Sequence, residues 1–432
     1  MREPIDLDNF DENDNLEEFA SGRRGIREES SGNASQDTDK KSPEEKKRRR
    51  KKRLAGWGIT LIILVGLYLT AVYSNIPFIA KWRTIYIETA MTTNSHQWLA
   101  TMFIPHSVID EVMAKWQADQ DAQAELNSTW KDAMEEERSE IDEEAFYEAY
   151  WELDCSSFRD YLAQHTELTS QGYDNILIED LEETLGMKTT QGDPLLVLDT
   201  ANHLMIVKVS GEGFQGKMAI VKEASQVDLA KSKSLGSYGQ EASGFGEQED
   251  ALLVVNASGF KDVDGHGSGG QVKGALIIDG VDYGTRDIQG HWKFCGMKND
   301  NRMYISNYPS DSVSEYRWGV EFFPALIIDG ESVVDGTYGM GIQPRTAIGQ
   351  TRNGDVLLLI VDGRQVGYSL GCTVEDCKNI LMNYDAYQAM NMDGGSSSVM
   401  WYRGQNITKS SSATGRGRYM PDALIVRKKG AA

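Results

Sequence analysis

Apolar and polar positions divide the chain into four stretches. Residues 1–53 are polar, with Phe10 and Phe19 their only aromatics. Such a segment cannot bury enough surface to offset chain entropy, and disorder is expected. Leu54 to Ala80 contains no charged residue. About 20 apolar residues suffice to cross a bilayer as a helix, so this stretch predicts a single transmembrane helix. From 107 to 165 the pattern turns helical. Ile109, Val112, Met113 and Trp116 recur at helical spacing behind a candidate cap, Ser107. Phe146, Tyr147, Tyr150, Trp151 and Leu153 mark a second helix from Glu143 to Leu162. Their aromatic stripe reads as the buried face of an amphipathic helix rather than a sugar platform. After Asp193-Pro194 the period changes. Leu195–Leu198, His203–Val209, Lys217–Val221 and Ala251–Val255 are short apolar runs between Gly, Asn and Asp, and read as strands. The expected class is α+β: a mixed β-sheet domain with flanking helices over 195–429, preceded by the transmembrane helix and a helical spacer.

Charge orients this arrangement. Lys46 to Arg53 is an unbroken basic run beside the apolar stretch, which keeps the N-terminus cytoplasmic and places everything after about residue 80 outside. The long tail and long apolar run favour an uncleaved signal anchor over a cleaved signal peptide. The expected divisions are a cytoplasmic tail (1–53), an anchor (54–80), a membrane-proximal segment and helical spacer (81–194) and the main domain (195–429). Residues 1–53 hold 14 basic and 14 acidic residues, so the formal charge of −22 lies beyond them. Residues 107–152 alone carry 15 acids against 3 bases, which makes the acidity mainly a property of the spacer. An acidic exposed part argues against a nucleic-acid partner.

Chemistry concentrates between Pro344 and Met400. Arg345–Gln350 reads as a strand, Asn353-Gly354 as a hairpin turn and Val356–Val361 as the returning strand, buried because it is apolar throughout. Thr373 caps a helix to about Tyr384, and a strand from Tyr387 to Met392 follows. Strand, helix, strand is a crossover unit, which makes its two strands parallel. Asp362 and Asp393 then lie just past the carboxyl ends of parallel strands, with Arg345 at that same end, and sheets of this kind bind ligands there. One arginine and two carboxylates should line one cleft, and Asn256, at the end of an earlier strand, can join them. Within Asn391 to Met400, Asn391 and Asp393 share a face, and Gly394-Gly395 lets the backbone turn. The segment Ser397–Tyr402 reads as the next strand.

Other chemistries lack their patterns. His203, His266 and His291 form no HExxH pair, and no metal site or cofactor is expected. Ser396, Ser397 and Ser398 stand outside a G-x-S-x-G elbow. The loop from Asp262 starts like a calcium loop, but Lys273 occupies the position of its bidentate acid; a glycine-rich loop at the cleft edge is the expectation. Carboxylates beside an arginine and amides suit a sugar bearing an anionic substituent. Arginine pairs with phosphate, and a carboxylate stabilises positive charge at the anomeric carbon.

Four motifs in order carry a resemblance: Val254-Val-Asn-Ala-Ser-Gly-Phe260, Pro344-Arg-Thr-Ala-Ile-Gly349, Val361-Asp-Gly-Arg364 and Asn391-Met-Asp-Gly-Gly-Ser-Ser397. Over roughly 195–429 the chain resembles the phosphodiester glycosidase family. That family includes the enzyme that removes N-acetylglucosamine from a phosphodiester to uncover mannose 6-phosphate, and many bacterial envelope proteins linked to exopolysaccharide. The resemblance implies a hydrolase that releases a sugar from a glycosyl-1-phosphodiester, with a phosphorylated glycan as partner. It implies Arg345, Asp362 and Asp393 as catalytic residues, either aspartate supporting the oxocarbenium-like state or activating water. It implies Asn256, Thr346, Asn391, Gly394, Gly395, Ser396 and Ser397 as substrate-binding. Ala257, Ser258 and Ser396 stand where the family usually has glycine, which implies a narrower cleft. Thr89 to Thr101 resembles a segment found just outside the membrane in bacterial members. A non-catalytic envelope protein that binds anionic polysaccharide is the alternative. Of the four cysteines, Cys372 and Cys377 are placed for a possible bridge, and Cys155 and Cys295 could be buried thiols.

Overall fold

The strand Val356–Val361 has no polar residue because both of its faces are covered. A computed structural model describes residues 43–93, 96–130, 142–170, 172–262, 267–288 and 290–430, with the side chains of 43–50 and 53 outside the description. Val356–Val361 is fifth in a nine-stranded sheet. Across it run Leu177–Glu179, Leu195–Asp199, Leu204–Gly211, Phe214–Val221, Val356–Val361, Arg345–Thr351, Ala386–Met392, Ala325–Ile328 and Glu331–Ser332. Successive side chains point to opposite faces. Leu358 and Ile360 therefore enter one core with Ile206, Ile348 and Met390, while Leu357, Leu359 and Val361 enter another with Val207, Ile220 and Ala347.

The first core is closed by two five-stranded sheets. One contains Leu276–Ile278, Val281–Asp282, Lys293–Lys298, Met303–Ser306 and Tyr316–Phe322; the other contains Val227–Lys231, Leu253–Asn256, Met400–Tyr402, Gln405–Asn406 and Asp422–Val426. Helices close the second core. The class is α+β, as the sequence predicts. The expectation of a mixed sheet is corrected: each neighbouring pair in the nine-stranded sheet is antiparallel.

Among the described residues are eight α-helices: α1 (Pro43–Tyr73), α2 (Pro77–Met91), α3 (Trp98–Thr101), α4 (His106–Gln123), α5 (Glu143–Ala149), α6 (Cys155–Gln164), α7 (Ala242–Glu249) and α8 (Val374–Asn383). The chain divides into two compact units, Met1–Gly66 and Leu67–Ala432. The tail expected to be disordered lies outside the described residues as far as 42. From Pro43 it is helical, since Lys and Arg are good helix formers and a helix extends more readily than it starts. Leu54–Tyr73 is long and apolar enough to cross a membrane. The predicted span to Ala80 is shorter in the structure, because Pro77 opens a separate helix at its first turn.

Other helix boundaries move for local reasons. Pro105 takes the N-cap position of α4, so Ser107 falls inside the first turn without capping it. The single helix predicted over Glu143–Leu162 is two. Asp142 accepts from the Ala145 amide at 2.9 Å and Asp154 from the Ser157 amide at 2.7 Å, each starting its own helix. The rings of Phe146, Tyr150 and Phe158 stack at 5.0 and 5.4 Å within the second core, as the stripe predicts.

The segment read as a spacer is part of this body. Leu177–Glu179 forms the sheet edge. Glu152 reaches Lys222 at 2.6 and 2.7 Å, and Lys222 reaches Asp355 at 2.8 Å, all fully buried. Burial pushes the Glu152 carboxyl upward, and the lysine opposes it. Removing one member of a buried ion group leaves uncompensated charge. Lys222→Met is expected to destabilise the chain by about 3–5 kcal/mol, read from denaturant unfolding of the full protein. Further upstream, Gln123 donates to the carbonyls of Ala325 and Val333, Tyr338 donates to the Asp119 carbonyl, and Trp130 Nε1 to that of Met303.

Candidate active site

Sheet register brings the predicted chemistry to one end. Arg345 pairs with Val361 and Thr346 with Met392, so the chain reaches Asp362 and Asp393 on either side of the strand that Arg345 begins. The strands Val356–Val361 and Ala386–Met392 are parallel, as the crossover predicts, but Arg345–Thr351 lies between them. The connecting helix α8 starts at a reciprocal cap, with Thr373 Oγ1 accepting from the Asp376 amide at 3.1 Å and Asp376 Oδ2 from the Thr373 amide at 2.8 Å. Beyond this sheet end lies a cavity of about 740 Å³.

Asp393 lines the cavity. Part of its surface opens there, but protein crowds the carboxylate, and burial raises it to about 6. The Ser397 hydroxyl, the Arg418 charge and the Gly394 amide pull the other way, and Asp262 adds repulsion. The turn that follows is built from glycine for steric reasons. A Cβ on Gly394 would sit 2.7 Å from the Pro344 carbonyl oxygen, and Gly395 has φ +63° with Arg364 packed above it.

Arg345, Asn391, Gly394, Gly395, Ser396 and Ser397 share the cavity wall with Asp393. Their working atoms are not all free. Arg345 is 3% exposed; its Nε donates to the Cys372 carbonyl at 3.2 Å and its Nη2 to those of Met340 and Gly341 at 3.0 and 2.8 Å. It therefore braces the loop Met340–Arg345. The amides of Gly395 and Ser397 donate to the carbonyls of Pro344 and Gly394. Asn391 Nδ2 donates to the Phe323 carbonyl at 2.7 Å, while its buried Oδ1 has no partner in the structure. Ser411 Oγ, also on the cavity wall, has none either.

Three predicted residues lie off the cavity wall. Asn256 donates to the Asp393 main-chain oxygen at 2.6 Å and accepts from Thr346 Oγ1 at 2.8 Å, a clamp that fixes the strand end beneath the carboxylate. The expectation that Asp362 faces the same cleft is corrected. Its carboxylate accepts from Tyr368 Oη at 3.0 Å and from the Lys409 amide at 2.9 Å, and is 2% exposed. It fastens two loops behind the site, where burial raises it and nearby lysines oppose that. Asp362→Asn is expected to cost about 1–2 kcal/mol of stability while kcat stays within about threefold, read by thermal unfolding and turnover on the same sample.

The structure adds groups the sequence did not single out. Arg364 is exposed and lines the cavity, donating from Nη2 to Gln343 Oε1 at 2.7 Å, repelled by the Arg345 charge and attracted by that of Asp393. Its place in the Val361-Asp-Gly-Arg364 motif was the available signal. Arg418 forks onto both Asp262 oxygens at 3.0 Å and approaches Ser396 Oγ at 3.5 Å. Asp422 is fully buried behind Asp393; burial raises it to about 7, the Asp393 charge adding to that, and it accepts from the Ser258 amide at 2.9 Å. Within the loop at the cleft edge, His266 lies outside the described residues. All four cysteines are free thiols; Cys372 and Cys377 are buried with sulfurs 3.4 Å apart, Cys295 is buried, and Cys155 is exposed.

The remaining wall comes from residues between Met91 and Trp116. Met91, Thr92, Thr93, His96, Met113 and Trp116 all line the cavity. Helix α2 is held there closely. Thr89 Oγ1 accepts from the Ile342 amide at 3.0 Å, and a side chain on Gly341 (φ +59°) would collide with Thr89. Gln343 also donates to Thr92 Oγ1. Glu88 is buried near Arg345, and burial raises its carboxyl.

Residues 249–427 match the family model for phosphodiester glycosidase. A curated relative, the SPbeta prophage-derived uncharacterized protein YomE of Bacillus subtilis (strain 168), is 26% identical over 242 residues. That alignment covers 51% of this chain and 36% of the relative, so the chain spans little more than a third of its length. Among solved structures, the zebrafish N-acetylglucosamine-1-phosphodiester alpha-N-acetylglucosaminidase catalytic domain, auto-inhibited by its pro-peptide, shares 18% identity at TM-score 0.44, covering 52% of this chain and 82% of that one. A hypothetical protein from Synechocystis shares 14% identity at TM-score 0.38, covering 54% and 64%.

Proposed function

We propose, from the match of residues 249–427 to the phosphodiester glycosidase family, that this protein hydrolyses a glycosyl-1-phosphodiester to a free sugar and a phosphate monoester. The observation that carries the reading is the Asp393 carboxylate, raised to about 6, on a cavity wall shared with two arginines of the sheet end. A phosphate monoester is a good leaving group and needs little protonation. The demand falls instead on charge: positive at the anomeric carbon, negative on the departing phosphate. The ionised Asp393 meets the first, by facing the oxocarbenium-like state or by deprotonating the attacking water. Arg364, exposed and forked, meets the second, with the Arg345 charge behind it. Arg418 is already paired with Asp262 and shapes the turn at Ser396. The unpartnered Asn391 Oδ1 and Ser411 Oγ suit sugar hydroxyls.

The same reading includes the membrane. The apolar helix Leu54–Tyr73 would anchor the chain, with Lys46–Arg53 cytoplasmic and the cavity outside, on envelope or exopolysaccharide substrates. The test is a panel of glucosyl, galactosyl, mannosyl and N-acetylglucosaminyl phosphodiesters, in both anomers, incubated with the full chain. Release of free sugar is expected from at least one. Binding without release from any of them would favour the non-catalytic envelope role.

A further inference from the structure

The cavity lining is not uniform, and its apolar part points to the class of alcohol on the far side of the phosphate. Besides Asp393 and Arg364 it includes Met91, Met113 and Trp116 from helices α2 and α4, with Phe323 and Met340 from the main domain. Trp116 and Phe323 lie 6.1 Å apart between ring centres, and Phe323 stacks on Phe322 at 5.0 Å. Aromatic rings alone would suit a sugar as well as a hydrocarbon. The polar atoms of this wall decide between them.

Thr92 Oγ1 donates to the Glu88 carbonyl at 2.7 Å and accepts from Gln343. Thr93 Oγ1 donates to the Ala90 carbonyl at 2.8 Å and accepts from the His96 amide at 3.2 Å. Both hydroxyls are committed within the protein. Trp116 Nε1 is buried with no hydrogen-bond partner in the structure, and His96 adds an exposed imidazole. The rest of what these side chains present is thioethers, methyl groups and rings. Most sugar hydroxyls placed there would lose water without gaining partners, which is unfavourable. An alkyl or isoprenyl chain loses nothing of the kind, and methionines adapt to its shape.

The chain path agrees. Only Ser74–Ile76 and the 15-residue helix α2 separate Tyr73 from Met91. That path spans at most about 35 Å, so a substrate seated in a bilayer beside the apolar helix is within reach.

We propose that the phosphodiester substrate is amphiphilic: a sugar-1-phosphate esterified to a long apolar alcohol, whose hydrocarbon lies against Met91, Met113, Trp116, Phe323 and Met340. This rests on the hydrolase reading above. Water adds to the anomeric carbon and the bond from that carbon to the phosphate oxygen breaks. Its electron pair leaves with the phosphate. The proton lost by water is balanced by the one the alkyl phosphate or solvent takes up. No oxidant or further reactant is needed.

The test uses the full chain in lipid nanodiscs and the same glycosyl panel, each sugar phosphate esterified in turn to methanol, to glucose and to decanol. The decyl ester is expected to exceed the methyl and glucosyl esters in kcat/KM by at least about 30-fold, the scale of burying several methylenes. Trp116→Ala, and separately the milder Met113→Gln, are each expected to narrow the decyl-to-methyl ratio at least about fivefold. Equal cleavage of all three esters, preference for the glucosyl ester, or a ratio unmoved in both variants overturns the apolar-alcohol assignment and leaves the hydrolase reading standing. Cleavage of none of them overturns the hydrolase reading itself.

Discussion

Asp393→Asn lowers turnover by about a thousandfold and, at pH 7, leaves the folded chain more stable than the wild type: both results are expected from one raised carboxyl. The folded group titrates at about 6, whereas an unfolded aspartate does so near 3.8. Below about pH 4 it is protonated in both states, and its contribution to stability is fully present. As pH rises through 6 the folded chain must ionise a crowded carboxylate, and that stability is lost. The amide cannot ionise, so the variant escapes the loss, worth on the order of 1–3 kcal/mol above pH 7. Denaturant midpoints of the two proteins should converge at pH 4 and diverge by pH 7. Activity has the opposite slope. The ionised form does the proposed chemistry, so wild-type kcat/KM should rise to a plateau through about pH 6. A profile that falls there would make Asp393 a proton donor instead.

The second large effect separates two arginines that the sequence cannot tell apart by type. Arg364→Met is expected to lower kcat/KM by about 10²–10³-fold with unfolding little changed, because an exposed fork beside the reacting group is lost. Arg364→Lys should recover only part of this, since an ammonium lacks the planar pair of donors. Arg345→Met should do the reverse in emphasis. It takes the donor from the Gly341 carbonyl and one of the donors from those of Met340 and Cys372, which Gln343 still serves, at a cost of about 3 kcal/mol. Paired kinetics and thermal melts of the three variants check the division. A stable but inactive Arg345→Met would move the phosphate contact to that residue.

The strands were readable where burial is two-sided or alternating. Val356–Val361 had to be apolar to sit between two cores, Phe214–Val221 carries Gln215 and Lys217 at its two less buried positions, and the Thr373 cap had to precede α8 to turn the chain. Register then brought Arg345 and Asp393 to the same sheet end, as chain order implied. Asp362 went elsewhere because a backbone end-point does not fix a side chain: Tyr368 and the Lys409 amide claim it. Arg418 was hidden for a related reason, its partner Asp262 being 156 positions away. The wall between Met91 and Trp116 was the least legible part. Short helices such as α3, four residues long, carry too few turns to show which face packs, and no local pattern says that Trp116 will meet Phe323.

The seating of Thr89 against Gly341 has a practical consequence for anyone making this protein in soluble form. A chain trimmed at Leu195, the natural place to cut by sequence punctuation, would discard Glu152, an edge strand and the six cavity-lining residues between Met91 and Trp116 while keeping every residue of the four family motifs. Such a fragment could be inert for want of its wall, and its silence would say nothing about Asp393. Trimming should stop short of Pro77, so that helix α2 stays in place.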